Sequence, residues 1–108
     1  MSARSDPIRA RLSADAPQGP VVSALLVVAG AQAGLPVDRI DDAVMAAELL
    51  LGGRPAARTV GLSVRPGVVE VAVDDVEAGR LDAQRQMLEV LATAVETAGG
   101  SVRLRVEP

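Results

Sequence analysis

Four short stretches of this chain alternate apolar and polar residues with a period of two, and that pattern sets what the chain can become. In "IRARLS" (Ile8–Ser13), Ile8, Ala10 and Leu12 fall on one side and Arg9, Arg11 and Ser13 on the other. "RTVGLSV" (Arg58–Val64) places Val60, Leu62 and Val64 together, and "VVEVAVD" (Val68–Asp74) places Val69, Val71 and Val73 together. "SVRLRVE" (Ser101–Glu107) does the same with Val102, Leu104 and Val106. Side chains of a strand point alternately to opposite faces, so each stretch predicts a strand with one buried face. A sheet of such strands is covered on one side and at least partly wet on the other. Pro66-Gly67 between the second and third stretches is a type II turn signal, which joins them as a hairpin.

Three segments carry helical signals. Val21–Gly34 is apolar nearly all round, which predicts a helix buried on more than one side, stopped by Gly34 and Pro36. Asp15 is placed to cap its entry. Arg39–Leu51 follows, with Asp38 as its expected cap and Asp38, Asp41 and Asp42 near the positive end of its dipole. Gly52-Gly53 ends it. Leu81–Ala98 has a stripe of Met87, Leu88, Leu91, Val95 and Ala98 opposite Asp82, Arg85, Glu89, Thr93 and Glu96, and Gly99-Gly100 is its expected stop. The predicted order is β-α-α-β-β-α-β: an α/β two-layer sandwich of four strands with the helices on one face. Residues 1–7 are expected to form a disordered tail ahead of a single domain over residues 8–108.

Composition narrows the chemistry. The chain of 108 residues is 49% hydrophobic yet has no Phe, Tyr or Trp, so its core must be built from Val, Leu, Ala, Ile and Met. It has no Cys and no His, which removes disulfides, thiol nucleophiles, imidazole bases and Cys- or His-ligated zinc. It also has no Lys, which removes Schiff-base chemistry and a Walker-type P-loop. A net charge of −3 and the lack of stacking rings argue against nucleic-acid binding. The apolar part of the charge-free run 16–37 covers only Val21–Ala31, too short for a bilayer that needs about 20 residues. A cytoplasmic protein with no secretory leader is the expectation.

The order of elements and the segment "DDAVMAAELLLGGR" (Asp41–Arg54) together resemble the GHKL, or histidine-kinase-like, ATPase fold. The anti-sigma regulatory factors of the serine-kinase type are the nearest in pattern. The resemblance spans residues 8–107. It implies a mixed sheet with the hairpin strands near its middle. It also implies a helix that opens with Asp-Asp and carries a catalytic Glu and, four residues later, a magnesium-binding Asn. A hairpin strand then ends in an adenine-reading Asp followed by glycines and a lid. Aligned on Asp41-Asp42, the Glu place falls on Leu49 and the Asn place on Gly53. A slip of one residue makes Glu48 the catalytic candidate and leaves Gly52 in the amide place. Glycine offers no side-chain oxygen to a magnesium ion. Asp74 matches the adenine-reading Asp and is the one candidate for cofactor binding, but Val76 and Ala78 stand where the glycines belong. The lid is essentially absent, so a triphosphate lacks its donor nest. Residues 38–77 hold four Arg and eight Asp/Glu, a net −4 that repels ATP.

The resemblance with lost motifs implies a non-catalytic, protein-binding regulatory module of the anti-sigma type. No cofactor or metal site is expected, and ATP with Mg²⁺ enters only under the alternative of an active serine kinase built on Glu48 and Asp74. The expected partner is a protein, a sigma factor or an anti-anti-sigma factor. A homodimer through the first strand and the apolar helix Val21–Ala31 is also implied, and the ordinary reading of that helix is a central core helix. A third possibility is a small oligomeric α/β module unrelated to sigma regulation. The ordinary readings stand beside these. Glu48 is also a solvent-facing carboxylate able to pair with Arg54 or Arg58. Asp74 is also a loop or capping carboxylate. Arg9, Arg11, Arg103 and Arg105 form either a basic docking patch on the wet sheet face or a solvated surface balanced by Glu70 and Glu107.

Overall fold

A computed structural model describes residues 8–15, 17–52 and 56–108. The tail expected over residues 1–7 lies outside them. The elements run β1 (Ile8–Leu12), α1 (Gln18–Ala33), α2 (Val37–Leu51), β2 (Arg58–Arg65), β3 (Val68–Val73), α3 (Ala78–Leu91), β4 (Ala94–Ala98) and β5 (Ser101–Val106). The strands form a single sheet in the order β1-β2-β3-β5-β4. Every neighbouring pair is antiparallel.

Two expectations are corrected. Among the described residues the sheet has five strands, not four, and it is antiparallel throughout rather than mixed. The extra strand comes from the segment expected to complete a helix over Leu81–Ala98. That helix stops at Leu91, and Ala92 is already extended at φ −100°, ψ 151°. Thr93, Val95 and Thr97 place β-branched side chains at every second position, which favours a pleated strand over a helix. Gly99 and Gly100 do not stop a helix. They form a two-residue turn between paired Ala98 and Ser101, both at positive φ (56° and 89°), which only glycine adopts easily. Leu88 and Leu91 of the expected stripe are buried, Met87 is exposed, and Val95 belongs to the sheet.

The helix entries also differ. Pro17 and Pro36 occupy the cap positions of α1 and α2 with no side-chain cap bond, so neither Asp15 nor Asp38 serves as one. Proline suits a helix start because the first amides lack intrahelical acceptors. Gly34 ends α1 in the left-handed conformation, as expected. Gly67, at φ 76°, fits the expected type II turn, and its N–H donates to the Ala33 carbonyl at 2.7 Å. The hairpin tip is thereby fastened to the end of α1.

The core lies between one sheet face and the helices. Val60, Leu62, Val69, Val71, Val73, Val102, Leu104 and Val106 point inward to meet Val22 and Leu26 of α1, Leu50 of α2 and Leu88 of α3. Without rings to fill space, the layers close by approach. Ala43, Ala46 and Ala47 let α2 sit deep in the helical layer. A Cβ on Gly30 would stand 2.5 Å from Ile40 Cγ1, so α1 and α2 cross closely there. Arg39 ties this layer to the chain end. It donates to the Glu107 carbonyl (2.7 Å), Asp42 Oδ2 (2.7 Å), the Leu91 carbonyl (3.2 Å) and Thr93 Oγ1 (3.2 Å). Among the described residues, no helix is long and apolar enough to cross a membrane.

Candidate functional site

The sequence points to the C-terminal end of α2 and the strand end at Asp74 as the place for nucleotide chemistry. Glu48 lies on the exposed side of α2 and accepts a hydrogen bond from Ser23 Oγ of α1 at 3.3 Å. Asp74 lies beyond β3. Its Oδ1 accepts the Thr59 N–H at 2.6 Å, and its own N–H donates to the Thr59 carbonyl at 3.2 Å. The carboxylate therefore closes the end of the β2–β3 ladder. The structure does not bring the two candidates together: Glu48 is held by α1 and Asp74 by β2. Gly53 and Arg54, which entered the reading of this site, lie outside the described residues.

Space beside the end of α2 is occupied by an arginine that sequence reasoning missed. Arg80, in the first turn of α3, donates its Nε to the Leu49 carbonyl at 2.9 Å. Its guanidinium lies over Gly52, where an added Cβ would collide with it. Arg58, at the start of β2 and only 2% exposed, donates to the Leu50 carbonyl at 3.4 Å. Together they satisfy carbonyls that the end of a helix leaves without amide partners, and they place positive charge at its negative pole. Gly52 thus ends α2 because it allows the arginine to approach. It does so in an extended conformation, at φ −69° and ψ 171°.

The connection from β3 to α3 is shorter than the sequence implies, because α3 begins at Ala78. Asp75 takes a left-handed φ of 54°, and Val76 is buried with its N–H on the Gly100 carbonyl at 3.0 Å. The segment is therefore anchored to the β4–β5 turn. Among the described residues, no three carboxylates converge in a group able to hold a metal ion.

The far side of the sheet is different. Strand register sets Arg9 opposite Gly61, Gly61 opposite Ala72, and Ala72 opposite Arg103. Arg11 stands opposite Thr59, and Arg105 opposite Glu70. The four arginines expected on the wet face do share it. A shallow depression of about 290 Å³ is lined by Arg9, Gly61, Ser63, Glu70, Ala72 and Arg103. It continues into others of about 240 Å³ and 310 Å³ that share Ala72.

A second exposed surface is helical. α1 carries no charged residue, and along it Val21, Val27 and Val28 are exposed, Val28 by 57%. Val21, Ala24, Val28 and Ala31 recur at helical spacing on its outer face.

Compared with known families and proteins, the chain matches no family model and no curated sequence.

Proposed function

We propose that this chain is a non-catalytic regulatory module that acts by binding protein, built like an anti-sigma factor of the GHKL type whose nucleotide site has been lost. The end of α2 carries the proposal. Arg80 covers Gly52 and holds the Leu49 carbonyl, while the Asp74 carboxylate is taken up by the Thr59 amide. A nucleotide would have to break these internal bonds before it met a donor. Glu48 is held on the side facing α1 and has no neighbouring amide side chain in the place where a metal would need one. Isothermal titration of Mg-ATP into the chain tests this directly. No saturable heat is expected. Tight, saturable binding would overturn the loss of the nucleotide site, and phosphate transfer to a partner protein that Asp74→Ala abolishes would support the active serine kinase instead.

The partner in this proposal is a sigma factor or an anti-anti-sigma factor in the cytoplasm, and the module is a homodimer through α1. Exposed valines on a charge-free helix support the dimer, because burying apolar surface is the main driving force for association. Sedimentation equilibrium should give twice the chain mass.

One observation favours a second reading. The hairpin strands β2 and β3 lie inside the sheet, as the resemblance requires, but no neighbouring strands run parallel. That departure supports a small oligomeric α/β module outside sigma regulation. A sigma factor failing to bind the purified dimer would favour it.

A further inference from the structure

The open sheet face carries its arginines in two rails. Arg9 and Arg11 lie on β1, and Arg103 and Arg105 lie on β5. Between them, β2 and β3 present the small, half-buried Thr59, Gly61, Ser63 and Ala72, with Glu70 beside Ser63. Arg9 and Arg103 stand in one cross-strand row, three strand spacings apart, which is roughly 14 Å between Cα atoms. An α-helix with its side chains is about 10–12 Å across. Within each rail the arginines are two residues apart, roughly 7 Å along the strand. Acidic side chains four apart on one helix flank are spaced at about 6 Å.

The charge on this face is answered from within chiefly along β5, where Arg103 stands opposite Glu96 and Arg105 opposite Glu70; β1 faces no acid across its ladder. Among the described residues, the side chains of Arg9 and Arg103 make no hydrogen bond or ion pair. Arg11 donates to Thr59 Oγ1 at 3.0 Å, and Arg105 meets Glu107 at 3.4 Å in an exposed pair that contributes little. Three acids share the face: Glu70 on the trough floor, Asp74 at its end and Glu96 beside the β5 rail. Glu70 stands opposite Arg105 and is held by Arg65 at 3.0 Å, Asp74 is held by the Thr59 amide, and Glu96 on β4 stands opposite Arg103 without forming an ion pair among the described residues. The chain as a whole is net −3, so four arginines gathered on one face concentrate positive charge there, with the β1 rail opposite only Gly61 and Thr59. With no aromatic residue on the platform, single-stranded nucleic acid has nothing to stack on.

We infer that the open sheet face is the docking surface for an acidic amphipathic helix of the partner protein. The helix lies over Gly61 and Ala72, with carboxylates on its two flanks meeting the rails. The inference rests on the reading that the module acts by binding protein, and it names the surface and the chemistry of the partner. It would complete a second layer over a sheet face that is now solvated.

The test uses the full chain and a fluorescein-labelled helical peptide of Ala, Leu and Glu, with glutamates four apart on both flanks. A matched peptide carries Lys for Glu. Fluorescence anisotropy should show saturable binding of the glutamate peptide, weakening as salt rises, and none of the lysine peptide. Arg9→Ser with Arg103→Ser should weaken it by about tenfold or more. Arg85→Ser, on α3 in the helical layer, should leave it unchanged. Circular dichroism melting of the double variant should match the parent, which separates lost contacts from lost folding. Equal binding of both peptides, no binding of either, or undiminished binding by the folded double variant would overturn the inference. Preferential binding of a single-stranded oligonucleotide would overturn it too. Failure of the peptide while the chain stays dimeric and silent to Mg-ATP removes this surface alone. A positive Mg-ATP titration removes the broader reading and leaves the peptide result standing.

Discussion

Arginine does opposite work in two regions of this molecule. At the end of α2, Arg58 and Arg80 are drawn in, and each donates to a helix carbonyl. On the open sheet face, Arg9 and Arg103 reach into solvent from a single cross-strand row and engage no described side chain. The same residue type is structural in the first place and available in the second. The first region is where the sequence points to nucleotide chemistry, and its polar groups are already used by the fold. The second leaves its guanidinium groups exposed.

Substitutions at the two regions should separate them by stability. The largest effect is expected at Arg58→Ala. It removes a side chain that is 2% exposed and leaves the Leu50 carbonyl without its donor. A loss of about 3 kcal/mol is expected in urea unfolding. A loss below 1 kcal/mol would mean that Arg58 does not hold the helix end. Arg80→Ala should cost about 1 kcal/mol, because its guanidinium is less deeply buried and one carbonyl loses a charged donor. Gly52→Ala should cost a similar amount by pushing the Arg80 guanidinium away, and it should add little on top of Arg80→Ala. At the other region, Arg9→Ser and Arg103→Ser should each change stability by less than about 0.5 kcal/mol. A larger loss at either would give the open face a structural role and erase the contrast.

The strands were legible because period-two alternation survives without any knowledge of neighbours. All four alternating stretches are strands, with Val60, Leu62, Val69, Val71, Val73, Val102, Leu104 and Val106 inward. β4 was hidden because Ala92–Ala98 also fits the helical stripe that begins at Met87. The deciding signals were Thr93, Val95, Thr97 and the Gly-Gly turn, which outweigh a stripe ending in alanine. The basic face was legible for the same reason as the strands. Its rails were not, because they depend on β5 lying beside β3 and β1 beside β2, which only register reveals. At the candidate site, Asp74 was rightly placed at a strand end, but its bond to Thr59 spans the hairpin and leaves no local mark. Arg80 reaches Leu49 across 31 residues of sequence, and no spacing rule singles it out among the chain's arginines.

Closure of the end of α2 to nucleotide is open to direct measurement. Ligand that binds only the folded chain raises its melting temperature, by several degrees at a hundredfold excess over the dissociation constant. The melting temperature of the intact chain, recorded with and without millimolar Mg-ATP, should be the same within error. A reproducible rise of several degrees that requires both the nucleotide and the magnesium would contradict it.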